Sequence, residues 1–356
     1  MTNKKTALMG LICIICMGML AACDNRAANP MQYMLSQNES YNSDNNDSSS
    51  EDNKEDTDKD VKQAVNVVST TDNIEDVYKD VTDINSVDVR ISQLVSLQKG
   101  KLETNEMLDI SKKVSSVLDS SDSKGIVIVH DEQTVEELGY FLELTLKTKK
   151  PVVIVPLKSE IKDITSVINT AVIVADTKDV ADKGVVVLNN NNLYQALYVG
   201  SETICMENAS KSDNGYIGTV NKNTVVLEDK SNKNYDNTFD ISSVKEFPEV
   251  QIIYDYQGID SQTYEKAFNR NDGIVIVTSS GNGKLSETAK EITGSSTIPP
   301  VVLTTGNIRV DNSKNVYDNV INAGQMSPVK ARMLLMLSIN SGKKDNEGIQ
   351  KIFNQY

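Results

Sequence analysis

Two wholly apolar runs, Ile126–Val129 and Val152–Val155, bracket an amphipathic stretch, and this arrangement limits the fold more than any other part of the chain. Residues 126–155 read IVIVHDEQTVEELGYFLELTLKTKKPVVIV: strand, loop, helix, strand. β-Branched runs without polar alternation suit strands covered on both faces, as in parallel sheets. Between them Val135, Leu138, Phe141, Leu142 and Leu146 recur at helical spacing, so one helix face can cover a sheet. Parallel strands need such a crossover, and the unit reads as βαβ.

The same alternation runs on either side. Ala64–Ser69 and Val185–Leu188 read as further buried strands, with helices expected at about 103–118, 134–148 and 159–176. Short β-branched runs alternating with helices predict an α/β domain. Residues 216–228 read as a hairpin turning at Asn221–Asn223. The polar stretch Asp229–Thr238 interrupts the pattern; strands are then expected at Val250–Tyr254, Ile274–Thr278 and Val301–Thr304, and helices near 259–270 and 285–293. A closing helix starts at Ser327-Pro328, a good N-cap followed by a residue pre-organised for the first turn. Ala331, Leu334, Leu335 and Leu337 supply its buried face. A chain of 356 residues suits two domains, expected at 61–228 and 248–356 with a linker at 229–247.

Residues 1–22 read as a lipoprotein signal peptide: Lys4 and Lys5 precede the apolar stretch Ala7–Ala22, and Leu20-Ala21-Ala22-Cys23 looks like a lipobox. The expectation is a lipid attached to Cys23, holding the protein on the outer face of a cell membrane, because the apolar run is short for a spanning helix. Residues 23–60, rich in Ser, Asn and Asp, predict a disordered acidic tether. Cys13 and Cys16 would leave with the signal; Cys23 and Cys205 then make no internal disulfide. With His130 the only histidine and no Cys/His cluster, neither a metal nor a cofactor is expected. The net charge of −14 argues against a nucleic-acid partner.

His130-Asp131-Glu132-Gln133-Thr134, Glu136-Glu137 and Lys150-Pro151-Val152-Val153 resemble a stretch of the type II bacterial L-asparaginases, which carry His-Gly-Thr-Asp-Thr, a Glu-Glu helix and Lys-Pro-Val-Val. The resemblance extends through Tyr216-Ile217-Gly218, Phe239-Asp240-Ile241, the Ser279–Gly283 turn with Leu285, the run Ser327–Leu337 and the closing Ile352–Tyr356. It implies a two-domain α/β asparaginase fold, with a larger, mostly parallel N-terminal sheet flanked by helices and a smaller C-terminal domain. It also implies hydrolysis of a side-chain amide by a threonine at the end of the first strand, helped by a second threonine, an aspartate, a lysine and a mobile lid.

The reactive positions depart from that pattern. Where the family has Ala-Thr-Gly-Gly-Thr-Ile, this chain has Ser69-Thr70-Thr71-Asp72-Asn73-Ile74, so Asn73 stands in place of the attacking threonine. A carboxamide has no hydroxyl to acylate. Glu132 replaces the second threonine, Gln133 replaces the aspartate, and Lys178 aligns with the lysine. The expected role of Lys178 is an ion pair, with Glu132 a candidate partner. Thr134 is expected to cap the following helix with Glu137 as its reciprocal partner, and His130 reads as structural. The lid segment after Ile74 is short, with Tyr78 its only candidate tyrosine, and Gln98 is the nearest remnant of the substrate-binding turn. The expected protein is a lipoprotein without amidohydrolase activity that acts in binding or assembly, as a homo-oligomer or with an active asparaginase, its small-molecule ligand unknown. The alternative is an active asparaginase/glutaminase using Thr71 or Thr70 with Lys178 as base.

Overall fold

The computed structural model describes residues 62–71, 83–158, 163–201, 215–229, 231–280, 282–295, 298–306 and 317–356. Cys23, Asp72, Asn73, Tyr78 and Cys205 lie outside the described residues. Strands β1 (Ala64–Ser69), β2 (Asp83–Ile84), β3 (Val87–Gln93), β4 (Ser123–Asp131), β5 (Val152–Leu157), β6 (Val185–Asn189), β7 (Asn192–Gln195), β8 (Tyr216–Asn221) and β9 (Thr224–Leu227) form one sheet. A second sheet holds β10 (Val250–Asp255), β11 (Gly273–Thr278), β12 (Val301–Thr304) and β13 (Val320–Asn322). The described helices are α1 (Thr104–Asp119), α2 (Val135–Thr145), α3 (Ile164–Asp176), α4 (Ser261–Phe268), α5 (Glu287–Thr293), α6 (Pro328–Asn340) and α7 (Asn346–Phe353).

The large sheet runs β2-β3-β1-β4-β5-β6-β7-β8-β9. Its β3, β1, β4, β5 and β6 are parallel neighbours, and hairpins add the antiparallel strands at both ends. The apolar runs are buried on both sides: Ile126 and Ile128 pack under α1 and α2, while Val127 and Val129 pack under α3. Alternate residues of a strand point to opposite faces, so an unbroken aliphatic run needs two covers. The four strands of the second sheet are all parallel.

The sequence omits β3, which pairs in parallel with β1 from Val65↔Val89 to Ser69↔Gln93. It also omits β7, β13 and α7. The β6–β7 turn is made by Asn190 and Asn191, both at positive φ (50° and 63°), which explains the run of asparagines there. Asparagine tolerates the left-handed region better than other side chains, and the tight hairpin turn demands it twice. The expected hairpin 216–228 forms as β8 and β9, with Lys222 and Asn223 as its central residues.

Helix α2 lies between the sheets, and every one of its residues except Glu137 is buried. Leu138 and Leu142 face the large sheet; Tyr140, Phe141 and Leu144 join the core around α6, with Leu334, Leu335 and Leu337. A fully buried leucine contributes roughly 1.5–3 kcal/mol. Ser327 caps α6, its hydroxyl accepting from Lys330 N, and Pro328 occupies the first turn as expected.

Candidate functional site

In a parallel sheet the loops following the strands gather at one edge, and ligands of open α/β sheets bind there. At this edge β1 is followed by Thr70 and Thr71, β3 by Leu94 and Val95, and β4 by the 3-10 turn Glu132–Thr134. The backbone ties them together: Leu94 N donates to Ser69 O (2.8 Å), Leu97 N to Thr70 O (2.9 Å) and Thr70 N to Val129 O (3.1 Å). Gln93, which the sequence does not single out, donates through Nε2 to Ser69 O (3.2 Å), Thr71 O (2.9 Å) and Val95 O.

His130 is buried at the end of β4. Its Nδ1 lies 2.6 Å from Thr70 Oγ1 and its Nε2 lies 2.9 Å from Thr134 Oγ1. A neutral imidazole has one donor and one acceptor nitrogen, so the two hydroxyls satisfy both. Burial pushes the His130 pKa down to about 4, against a smaller opposing pull from Asp131. The ring is therefore neutral at pH 7. Thr134 thus turns back to the imidazole and does not cap α2 through its side chain, contrary to the expected capping box. Its supposed partner Glu137 leaves Oε2 buried without a hydrogen bond, and desolvation raises its pKa.

The hydroxyls after β1 are similarly committed. Thr70 is fully buried, and its hydroxyl donates to Val129 O (3.2 Å) besides meeting His130. Ser69 donates to Thr71 O (2.6 Å) and accepts from Thr71 N (3.0 Å). Thr71 Oγ1, half-buried, lies 3.2 Å from Ser69 Oγ, and among the described residues no imidazole, amine or carboxylate bonds to it.

Asp131 serves the loops: its carboxylate accepts from Gln133 N (3.0 Å) and Gly100 N (2.7 Å). Gly100 has φ +69°, and a Cβ there would stand 2.3 Å from Gln133 Oε1. Glu132 and Gln133 therefore sit at this edge, half-buried and exposed respectively, while Gln98 is exposed on the adjoining loop.

Lys178 does not join them. It lies in the turn Lys178–Val180, between α3 and the start of β6, and is exposed. That is the opposite edge: Asp176 at the end of α3 pairs with Lys124 at the start of β4 (2.8 Å), and Asp182 N donates to Lys149 O, just ahead of β5. The strands separate the two edges by roughly 20 Å at ~3.3 Å per residue. The expected Lys178–Glu132 pair is absent, and Lys178 as a base for Thr70 or Thr71 is excluded by the same separation.

A further polar cluster, unforeseen from the sequence, joins this edge to the second sheet. Glu136, in the first turn of α2, accepts from Ser201 N (2.8 Å) and Ser201 Oγ (2.7 Å), and from the hydroxyl of the α6 cap Ser327. Neither serine is close to Glu136 in sequence, so no local pattern announces the cluster.

The family model for the N-terminal asparaginase domain matches residues 57–233, and that for the glutaminase/asparaginase C-terminal domain matches residues 249–353. The chain belongs to the asparaginase family. Among curated relatives, L-asparaginase 2 of Bacillus subtilis is 31% identical over 289 residues, covering 78% of this chain and 76% of that protein. L-asparaginase 2 of Escherichia coli is 30% identical over 286 residues, covering 75% and 80%. Among solved structures, a probable cytoplasmic L-asparaginase from Campylobacter jejuni superposes with a TM-score of 0.71 at 27% identity, over 83% of this chain and 100% of that one. The two-domain asparaginase fold implied by the sequence is the fold of this protein, and its two L-asparaginase 2 relatives place it with the type II members.

Proposed function

We propose that this protein is a surface-anchored lipoprotein of the asparaginase family that does not hydrolyse amides and acts in binding or assembly. The observation that carries the reading is the state of the hydroxyls after β1. Thr70 is fully buried and spent on Val129 O and His130, while Thr71 has no base bonded to its hydroxyl among the described residues. Asn73 holds a carboxamide at the aligned position of the attacking threonine. Serine and threonine hydroxyls are poor nucleophiles unless a base takes the proton. The lipobox ending at Cys23 supports the anchor, and the acidic segment 23–60 would hold the folded domains off the bilayer.

Purified protein assayed for ammonia release from asparagine and glutamine tests the loss of activity. The expected outcome is no release above background at high protein concentration. Turnover that disappears in Thr71→Ala would overturn it. The anchor predicts that labelled palmitate enters the wild-type chain and not Cys23→Ser. Assembly predicts co-purification with an intact asparaginase or a homo-oligomer on sizing.

One observation favours the rival reading, an active asparaginase/glutaminase with a rewired site. The relatives are named L-asparaginases. That reading predicts ammonia release abolished by Thr70→Val.

A further inference from the structure

Away from the strand-end edge, a cavity of about 170 Å³ opens where the two domains meet, lined by the first turn of α1, residues 246–249 and Arg332 of α6. Arg332 is half-buried and lines it together with Phe247 and Thr104. Its guanidinium donates through Nε to Val250 O (2.9 Å) and through Nη2 to Thr104 Oγ1 (3.3 Å). Both acceptors are neutral. Among the described residues no carboxylate makes an ion pair with it, although Glu249 and Glu137 lie near enough for their charges to act on it. A partly desolvated guanidinium without a contacting anion is costly, and its planar fork suits a carboxylate.

The rim has the opposite sign. Glu246 and Glu249 are exposed there and form no ion pair among the described residues. Glu103 is committed elsewhere, to the reciprocal cap of α1 with Glu106 and to Lys101 at 3.0 Å. A bare anion in the cavity would face two carboxylates as well as Arg332, and a bare cation would meet the guanidinium. A molecule carrying both charges satisfies both. At about 170 Å³ the cavity is many times larger than a single water requires and suits a small solute.

We propose that this cavity binds a small zwitterion, an α-amino acid, whose carboxylate pairs with Arg332 and whose ammonium faces Glu246 and Glu249. The site lies apart from the strand-end edge and does not depend on whether that edge hydrolyses amides.

Calorimetric titration of the full-length protein with glycine, L-aspartate and L-asparagine tests it, with sulfate as an anion lacking an amino group. Saturable binding of at least one amino acid is expected, weakened about tenfold or more by Arg332→Gln, a tenfold change being 1.4 kcal/mol. Because Arg332 also holds Val250 and Thr104, the rim variant Glu246→Gln with Glu249→Gln supplies a second arm free of that packing role, and it too weakens binding. Absence of saturable binding by all three amino acids overturns the proposal. So does an affinity that the rim variant leaves unchanged, or sulfate bound as tightly as the amino acids. The ammonia assay is unaffected by any of these results, so failure here and failure of the inactive-lipoprotein reading are told apart.

Discussion

At His130 a neutral ring is held between two hydroxyls in a site from which water is excluded, and this has a consequence for acid stability. The ring's pKa is about 4 folded, against an ordinary value of 6.5. The unfolded chain therefore binds the proton first as pH falls, and stability is full above about 6.5 and lost progressively toward 4. The expected loss across that window is roughly 3 kcal/mol, at 1.36 kcal/mol per pKa unit. Urea denaturation at stepped pH checks it; a slope unchanged in His130→Gln would show that other groups set the acid limit. Thr70→Val is expected to cost about 1–3 kcal/mol, since it strips a buried imidazole nitrogen of its partner. Neither hydroxyl contact was legible in the sequence. Thr134 followed by Glu137 has the spacing of a capping box, and only the fold, which buries His130 four residues earlier, offers its hydroxyl a competing partner.

Between elements, the most demanding contact joins α2 to the segment that follows the large sheet. Lys233 lies 3.4 Å from Glu143, both side chains are nearly inaccessible, and Glu143 also accepts from Val185 N at 2.6 Å. Burial raises the Glu143 pKa and lowers that of Lys233, each opposed by the partner's charge. Removing one charge strands the other, so Lys233→Met is expected to destabilise by about 3–5 kcal/mol. The double variant with Glu143→Gln should recover part of that loss, measured as a double-mutant cycle. A smaller effect belongs to the loop against the Glu132–Thr134 turn. Gly100→Ala meets both a positive φ and the Gln133 side chain, and should cost about 1–3 kcal/mol. Shortening Gln133 to alanine should relieve the contact and leave the φ penalty, a partition read from the two denaturation midpoints. The elements themselves were largely readable: β1 and β12 fall at their expected residues because an aliphatic run bounded by polar residues leaves little choice. β3 was missed because Asp88, Arg90 and Ser92 break its apolar run, as a strand nearer the sheet margin allows. The Lys178 alignment failed for a topological reason. A turn that precedes a parallel strand lies at the other margin from a turn that follows one, and residue matching alone does not register that.

For the molecule as a whole, α2 makes the two sheets one cooperative structure. It contributes Leu138 and Leu142 to one core and Phe141 and Leu144 to the other, and Glu136 fastens its first turn to Ser201 and Ser327. Leu334→Ala, in the second core, is therefore expected to cost about 2–5 kcal/mol and to lower the unfolding midpoint of both domains together. Far-ultraviolet dichroism and tyrosine fluorescence, usable without interference because the chain has no tryptophan, should give coincident transitions. Two separated transitions would show that the domains unfold independently. A helix with two owners also shapes how such a chain can drift over generations. Exposed side chains at the strand-end rim, such as Gln98 and Gln133, can change at little cost to either core. Those of the shared helix answer to both halves at once, so a change in any of them is felt in two cores.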